Sequence, residues 1–332
     1  MPTLIISGIK AEIDKVKLEE MQGGSRRMNW SPQEARKKLF ELLGDLPPEE
    51  PISAQVLKVE EREGYLLETL QLELNGMEPV PGYVAKPREG SGPFPLVIFN
   101  HSHGGNYGNG RKEMIVSSPY LQEPSFAKVL TDLGCAVCCI DMWAFNERGG
   151  KTESELVKEM LWNGRVMWGM MLYDNRRLLD YMCSRRDIDS SRVATIGMSM
   201  GGLMAWWSAA LDERIKVTID ICGQVEAETL IAKRGLDHHG FYSYVPGLLK
   251  YFSTLDIQRL IVPRPRMSLV GRNDRLCPVE GVELLATGLH EAYRNAGKPE
   301  HWQPVLGGGG HMETAAMRAA WVPFLTKHLL ER

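Results

Sequence analysis

The sequence predicts an α/β protein built on a mostly parallel, doubly wound sheet with helices on both faces. The first observation is a series of short, wholly apolar segments, such as residues 96–99 and 136–140, which are typical of strands buried on both faces. The second is that these segments alternate with longer stretches of helical character. The third is that polar or glycine-rich loops follow several strands. Right-handed crossovers bring such loops together at the carboxyl edge of the sheet, where sites form.

The individual elements follow from local signals. Ser31, Pro32 and Glu34 are typical of a helix start, because serine can cap, proline fits the first turn and Glu34 can complete a capping box. Asn75-Gly76 marks a turn between two strands. The expected strands are residues 54–61, 65–74, 81–86, 96–99, 136–140, 193–196, 217–221 and 266–270, with an edge strand near residue 301. The expected helices are residues 32–43, 126–133, 171–183, 201–210, 279–293 and 315–330.

The chain divides into an N-terminal extension and one main domain. Residues 1–50 are predicted to be a helical extension that leads into the stiff, proline-rich segment DLPPEEP. Residues 51–332 hold the alternating strands and helices. Two connections, residues 142–170 and 223–262, are longer than a crossover requires and are rich in aromatic residues, so we expect them to shape a pocket. The alternative is that these aromatic residues pack the small cores of the inserts themselves.

Composition restricts the partners of the protein. The 332 residues include 39 Lys and Arg against 42 Asp and Glu, a net charge of -3, which argues against a nucleic-acid footprint or attraction to anionic membranes. No apolar run approaches the roughly 18 residues of a membrane span. The first residues lack a basic leader, so a cytoplasmic location is expected. Ile9, Ile13 and Val16 are spaced along one helix face, which leaves homo-oligomerisation and docking within the subunit both open.

The cysteines predict neither a disulfide framework nor a metal site. Their spacing is irregular, and no second Cys or His pair has the spacing of zinc ligands. The sequence CAVCC lies in an apolar run that is typical of a buried strand, where cysteine packs as a small apolar residue. The six cysteines are Cys135, Cys138, Cys139, Cys183, Cys222 and Cys277.

The most specific signal in the chain is a G-x-S-x-G pentapeptide centred on Ser199. It follows the strand at residues 193–196 and precedes a helix, which is the context that a nucleophile elbow requires. Gly197 and Gly201 are expected to avoid clashes where the chain turns sharply and approaches its neighbours. The turn exposes the Ser199 hydroxyl and points the Met200 N–H at a substrate carbonyl, near the positive end of the helix.

A serine hydroxyl needs an adjacent base, and the base needs an acid that orients it. His311 follows the flexible loop GGGG and precedes the final helix, which makes it the candidate base. Asp274 follows a strand and is the candidate acid, with Asp141 and Asp220 as rivals near other strand ends. Ser199, Asp274 and His311 then occur in the chain order expected of α/β-hydrolases.

The oxyanion of an acyl-transfer intermediate needs two pre-aimed donors. The Met200 N–H is one, and the loop NHSHGG should supply the other through the His103 N–H, with Ser102 or Gly104 as alternatives. The rings of His101 and His103 are expected to pack and shape this loop rather than bind a metal. Four residues of the two inserts are expected to contact the substrate, namely Trp143, Trp168, His239 and Tyr244.

Several segments together carry a family resemblance. They include FNHSHGG, DMWAFNERGG, DIDSSRVATIGMSMGG, HHGFYSYVPGLLKYF, GRNDRLCP and GGGGH, within roughly residues 80–332. In these segments the chain resembles the α/β-hydrolases of the dienelactone-hydrolase-like and acetyl-xylan-esterase-like branch. The resemblance implies a Ser199–Asp274–His311 triad. His101-Ser102 stands where that branch usually has His-Gly, and Ser199 stands where dienelactone hydrolases proper have cysteine, so the resemblance implies ester hydrolysis rather than a dienelactone substrate.

The sequence therefore predicts a serine carboxylesterase for small esters, and the resemblance favours a short, acetyl-type acyl group. The expected reaction passes through an acyl-enzyme, needs no cofactor or metal, and slows on acidification as the histidine protonates. One alternative is a peptidase like prolyl oligopeptidase, although about 90 N-terminal residues are too few for the large access domain that such enzymes carry. Another is a non-catalytic relative that binds a ligand.

Overall fold

A nine-stranded sheet runs through residues 30–331, the part of the chain that the computed structural model describes. The strands are β1 (Ser53–Arg62), β2 (Tyr65–Glu73), β3 (Val80–Pro87), β4 (Phe94–Asn100), β5 (Ala136–Ile140), β6 (Ile188–Met198), β7 (Val217–Ile221), β8 (Arg266–Gly271) and β9 (Trp302–Gly307). Their order is β1-β2-β3-β5-β4-β6-β7-β8-β9. The first three strands form an antiparallel meander that joins β5, and all the other neighbours pair in parallel. The predicted fold class is confirmed.

The helices cover both faces of this sheet. They are α1 (Pro32–Leu42), α2 (Phe126–Asp132), α3 (Glu153–Trp162), α4 (Met167–Ser184), α5 (Met200–Leu211), α6 (Ala227–Ala232), α7 (Thr254–Arg259), α8 (Val279–Asn295) and α9 (Ala315–Leu325). Alternate residues of β4 point to opposite faces: Leu96 and Ile98 pack with α1, α4 and α5, whereas Val97 and Phe99 pack with α2 and α9. The parallel strands are therefore buried on both sides, as their unbroken apolar sequences require.

Helix α1 begins at the predicted cap and packs into the core of the main domain. The Ser31 hydroxyl accepts the Glu34 N–H at 3.3 Å, and the Glu34 carboxylate accepts the Ser31 N–H at 2.8 Å, which completes the capping box. Leu39 is fully buried in the same cluster as α4 and α5. Residues 1–29, with the proposed helix face of Ile9, Ile13 and Val16, lie outside the described residues, and the domain boundary at residue 50 stays a prediction.

The two inserts contain helices that the sequence analysis did not assign. Helix α3 lies in the first insert and begins with a capping box, in which Thr152 and Glu155 bond each other's backbone N–H. The second insert contains α6, α7 and three single turns of 3₁₀ helix. Helix α4 begins at Met167, four residues before the expected start at residue 171. No helix within residues 30–331 has an apolar stretch long enough to cross a bilayer.

Candidate active site

Ser199 occupies the sharp turn between β6 and α5. Its backbone has φ 57° and ψ -119°, a conformation that non-glycine residues rarely adopt, and its N–H donates to the Ile221 carbonyl at 2.8 Å. The flanking glycines are required by close backbone approach. A β-carbon at Gly197 would lie 2.4 Å from the Gly201 carbonyl oxygen, and one at Gly201 would lie 1.9 Å from the Asn100 carbonyl oxygen. The residue order of the pentapeptide thus builds the turn that lifts Ser199 out of the sheet.

The structure brings the three predicted triad residues into one hydrogen-bonded chain. His311 Nε2 lies 2.8 Å from Ser199 Oγ, and His311 Nδ1 lies 2.8 Å from Asp274 Oδ2. A carboxylate only accepts hydrogen bonds, so Nδ1 carries the proton that it donates to Asp274. Nε2 is then free to accept the Ser199 proton. This is the tautomer that a general base for the serine hydroxyl must have.

The Asp274 side chain is buried, and both of its carboxylate oxygens accept hydrogen bonds. Its Oδ1 accepts the N–H groups of Leu276 at 2.9 Å and Cys277 at 3.3 Å, while Oδ2 faces His311. Burial is the largest single influence and would raise the pKa of Asp274, but the hydrogen bond and charge of His311, together with hydrogen bonds from the Leu276 N–H and Cys222, lower it overall. The carboxyl group is therefore ionised and can stabilise a positive charge on His311.

The two rival acids are committed to other partners. Asp141 forms a buried ion pair with Arg111. Asp220 is equally buried and pairs with Arg266 at 3.1 Å, while its other oxygen accepts the Ser268 hydroxyl at 2.7 Å. Both carboxylates occur near strand ends, which explains why sequence position alone did not separate them from Asp274.

The glycine loop after β9 folds back on the end of β8 and delivers His311. The N–H of Arg272 donates to the Gly307 carbonyl, and the N–H of Asn273 donates to the Gly309 carbonyl, both at 2.9 Å. A β-carbon at Gly271 would lie 2.4 Å from the Gly310 carbonyl oxygen, so side chains are excluded from this contact. The close backbone packing holds the loop, and with it the histidine, beside the elbow.

The predicted oxyanion donors differ in their availability. Within residues 30–331, no acceptor occupies the Met200 or His103 N–H. The Ser102 N–H, one of the alternatives, donates to the buried Glu113 carboxylate at 2.6 Å and is not free for a substrate. The Glu113 carboxylate also accepts the Ser118 hydroxyl and so holds the loop in shape. Sequence reasoning missed Glu113, because nothing local links it to this loop.

The two histidine rings of this loop are held by protein groups. The buried His101 ring bonds a neighbouring backbone carbonyl through Nδ1 at 2.9 Å and accepts the Met142 N–H on Nε2 at 3.1 Å. His103 Nδ1 accepts the Gly105 N–H at 2.9 Å, and its Nε2 faces the Tyr242 hydroxyl at 3.4 Å. Burial, followed by the nearby histidine charges, lowers the pKa of His103 to about 4. The neutral rings shape the loop, as the packing interpretation expects.

Tyr242 joins the second insert to the loop after β4, which carries His101 and His103. Its N–H donates to Glu153 at 2.7 Å, and the same carboxylate accepts the Tyr107 hydroxyl at 2.5 Å. The Tyr242 ring stacks on Trp168 and meets His103 edge-on, with centroids 5.9 Å apart in both cases. Sequence reasoning also missed Tyr242 and Glu153. The aromatic run HHGFYSYV was the available signal, but it does not reveal which ring points inward.

Two open cavities flank the second insert. One has a volume of about 510 Å³ and includes His239 and Tyr244 in its lining. The other is a groove of about 630 Å³ bordered by Tyr107, Lys151 and Phe241. His239 and Tyr244 are thus placed where a substrate can reach them, and their substrate contact stays a prediction.

The two predicted tryptophan contacts need correction. Trp168 is fully buried, and Trp143 is 4% exposed beneath the Arg148 guanidinium, 4.3 Å from its ring centroid. Neither borders the two cavities. Both belong to the core because the insert uses its large apolar rings to pack against the sheet helices. For Trp143 and Trp168 the structure therefore favours the alternative interpretation, in which the aromatic residues of the inserts pack a core.

One group of potential metal ligands occurs among residues 30–331. Cys222, Asp274 and His311 place ligand atoms within 4.8 Å of one another. Two of the three are engaged in the hydrogen-bonded chain with Ser199. Burial, together with the charge of Asp274, raises the pKa of the Cys222 thiol and disfavours the thiolate that a metal would need. These three residues are therefore better suited to the hydrogen-bonded chain with Ser199 than to binding a metal ion.

Comparisons with known proteins found a relative that is named a hydrolase and solved esterase structures that have a similar fold. No protein-family model matches it. The "Putative hydrolase YtaP" of Bacillus subtilis (strain 168) is 54% identical over 296 residues, which are 89% of this chain and 99% of that protein. An acetyl xylan esterase from Paenibacillus sp. R4 has a TM-score of 0.61 at 18% identity, covering 94% of this chain and 99% of the other. A glucuronoyl esterase from Solibacter usitatus has a TM-score of 0.66 at 15% identity, covering 88% and 92%. Because both solved structures are less than 20% identical to this chain, the comparison with them shows a shared fold and nothing finer.

Proposed function

The chain belongs to the α/β-hydrolase family, and from this premise we propose that it is a serine carboxylesterase that hydrolyses small, short-acyl esters. The observation that carries the proposal is the continuous chain of hydrogen bonds from Ser199 Oγ through His311 to Asp274. The names of the relatives support the reaction class, since they are a hydrolase and esterases. The acetyl xylan esterase among them supports an acetyl-type acyl group.

The proposed reaction has two halves that use the same groups. His311 Nε2 takes the Ser199 proton as Oγ attacks the ester carbonyl, and the Met200 and His103 N–H groups hold the oxyanion. The protonated His311 then gives its proton to the leaving alcohol oxygen, which produces an acyl-enzyme. Water loses a proton to His311 as it attacks the acyl carbon, and His311 returns that proton to Ser199 Oγ as the bond to the acyl group breaks and the acid leaves. The ionised Asp274 stabilises the positive charge on the ring in both halves.

The test is hydrolysis of p-nitrophenyl acetate by the native chain and by Ser199→Ala. We expect kcat to fall by about 10⁴-fold or more, because a missing nucleophile removes the whole covalent route. Ser184→Ala, an exposed serine at the end of α4, is the matched control and should retain native activity. Equal activity of the native chain and Ser199→Ala would contradict the proposed nucleophile.

Covalent labelling separates an esterase from a ligand-binding relative. A fluorophosphonate reagent should label the native chain and leave Ser199→Ala unlabelled, because only an activated serine reacts with it. A native chain that is neither labelled nor active on p-nitrophenyl acetate would favour the non-catalytic alternative.

A further inference from the structure

Glu113 is a buried carboxylate that binds three neutral donors. It lies in a single turn of 3₁₀ helix, Gly110–Met114, and is 2% exposed. Its Oε2 accepts the Ser102 N–H at 2.6 Å. Its Oε1 accepts the Ser118 hydroxyl at 3.0 Å and also the Tyr120 hydroxyl. Removing a carboxylate from water is costly unless hydrogen bonds satisfy it, so the three donors and Glu113 hold one another in a single arrangement.

The peptide group that Glu113 holds packs against the nucleophile elbow. A β-carbon at Gly201 would lie 3.0 Å from the His101 carbonyl oxygen. That carbonyl and the Ser102 N–H belong to one planar peptide group. The His103 N–H, a candidate oxyanion donor, belongs to the next peptide group along the chain. Because only two torsion angles link neighbouring peptide groups, fixing the first one restricts where the His103 N–H points.

Tyr120 extends these contacts to the loop that carries the base. Its hydroxyl donates to Glu113, and its carbonyl accepts the Glu313 N–H at 2.8 Å. Glu313 follows His311 by two residues and is 1% exposed. A β-carbon at Gly104 would lie 2.2 Å from the Tyr120 ring, so the ring packs directly on the candidate donor loop. A series of contacts thus joins that loop to a residue next to the base loop's histidine.

Gln122 adds a second connection to the same turn after the base. Its N–H donates to Glu313 Oε2 at 3.0 Å, and its side-chain amide donates to the Glu313 carbonyl at 2.9 Å. The Glu313 carboxylate also accepts the Trp321 indole N–H at 2.7 Å, which ties the turn to α9. Residues 113–122 are therefore held by the loop after β4 at one end and by the turn after the base at the other.

We propose that Glu113 is a positioning residue that, together with Tyr120, fixes the candidate oxyanion donors relative to His311. This proposal rests on the proposed esterase function. Donors and base must act on the same ester carbonyl, and the oxyanion exists only once Ser199 has attacked. Misplaced donors therefore weaken the transition state more than the bound substrate, so losing Glu113 should lower kcat and leave KM nearly unchanged.

The first test compares Glu113→Ala with Glu113→Gln on ethyl acetate, whose poor leaving group keeps acylation slow so that KM reports binding. Glu113→Ala should lower kcat about 100-fold, the size of losing one oxyanion donor, with KM within about threefold of native. In Glu113→Gln the amide oxygen can accept the Ser102 N–H while the amide NH₂ donates to the two hydroxyl oxygens. We expect this variant to recover to within about tenfold of native kcat. No recovery in a folded Glu113→Gln would overturn the proposal.

A transition-state analogue separates positioning from a loss of folded protein. A trifluoromethyl ketone forms an oxyanion on the serine, so its inhibition constant should rise in Glu113→Ala by about the factor by which kcat/KM falls. Glu68→Ala is the matched control, because it removes a buried carboxylate from the antiparallel meander. It should lower stability in urea and leave kcat per folded molecule and the inhibition constant unchanged. The same pattern in Glu113→Ala would overturn the positioning role.

Tyr120→Phe tests the connection to the base loop. This variant keeps the ring on Gly104 and the carbonyl that accepts the Glu313 N–H, and it removes only the hydroxyl. We expect kcat to fall by about fivefold or more. In the Glu113→Ala background the same change should have no further effect, because the hydroxyl has lost its acceptor. Native kcat in Tyr120→Phe, or independent effects in the double variant, would contradict the proposal. If Glu113→Ala does not fold, Tyr120→Phe and Glu113→Gln decide the outcome.

The outcome can be separated from a failure of the esterase function itself. If Ser199→Ala hydrolyses p-nitrophenyl acetate as fast as the native chain, the proposed function fails and takes this inference with it. If Ser199→Ala is inactive while folded Glu113→Ala retains native kcat, the esterase stands and only the positioning role of Glu113 is rejected.

Discussion

At the scale of single residues, the site depends on groups that hold one another in the right protonation state. Asp274 is ionised because His311, the Leu276 N–H and Cys222 together lower its pKa against the effect of burial, and its charge in turn selects the His311 tautomer. In the loop after β4, Glu113 engages the Ser102 N–H, which leaves the N–H groups of His103 and Gly104 as the candidate donors. The sequence pointed to the three residues of the hydrogen-bonded chain because the proposed chemistry restricts the residue type. It did not identify Glu113, whose role depends on contacts made only in the fold.

We predict that Asp274→Asn lowers kcat by about 10³- to 10⁴-fold. The asparagine side chain has an NH₂ group in place of one carboxylate oxygen, so it favours the wrong His311 tautomer. It is also uncharged and cannot stabilise a positive charge on His311. Steady-state kinetics on p-nitrophenyl acetate measures the loss, with Asp237→Asn, an exposed change in the second insert, as the control. A variant that retains a tenth or more of native activity would assign the acid elsewhere.

At the scale of elements, the elbow between β6 and α5 and the loop after β9 are built by backbone packing. Gly197 and Gly201 let the elbow approach the end of β4, and Gly271 at the end of β8 lets the last loop pack against that strand. The two elbow positions were predictable because a close approach excludes every residue with a β-carbon. Helix α3 was not predicted, although Thr152 and Glu155 offered a capping-box signal within an insert that was interpreted only as a pocket wall.

We predict that Gly201→Ala lowers the free energy of unfolding by about 2–3 kcal/mol and removes most esterase activity. The added methyl would lie 1.9 Å from the Asn100 carbonyl oxygen, so the elbow must move. Urea unfolding followed by circular dichroism measures the stability. Gly308→Ala in the loop before His311 is the control, because its β-carbon would have nothing within 4 Å and should change stability by less than about 0.5 kcal/mol. Native stability in Gly201→Ala would show that the contact relaxes freely.

At the scale of the whole molecule, charged side chains connect the antiparallel meander to the parallel sheet. Lys86 on β3 contacts Glu68 on β2 at 2.6 Å and Asp187, just before β6, at 2.7 Å. Arg185, which follows α4, contacts the same two carboxylates at 2.7 and 2.8 Å. The hydrogen bond from Arg185 is the largest cause of the lowered pKa of Asp187; burial opposes it, and a hydrogen bond from Lys86 lowers the pKa further. The network joins segments more than 100 residues apart in the chain.

We predict that Asp187→Asn lowers the free energy of unfolding at pH 7 by about 1 kcal/mol, a value limited by solvent screening. A lowered carboxyl pKa stabilises the fold at pH values above the ordinary aspartate pKa of about 3.9. This contribution declines as the pH falls towards the lowered pKa of the native state. Urea titrations at pH 7, 5, 4 and 3 should show the difference between native chain and variant shrinking below about pH 4. A difference that stays constant would contradict the ionic origin, and Glu89→Gln at an exposed turn is the control.

The sequence by itself determined the α/β class, the positions of most strands along the chain, the elbow and the identity of the three residues that form the hydrogen-bonded chain. These follow from local periodicity, from the glycines that a sharp turn requires and from the few side chains that can act as nucleophile, base and acid. Only the tertiary structure decided that Trp143 and Trp168 are core residues, that Tyr242 and Glu153 join the inserts, and that His239 and Tyr244 line an apolar cavity. Those features depend on side chains that are distant in sequence, because burial and cavity shape arise only when separate elements pack together.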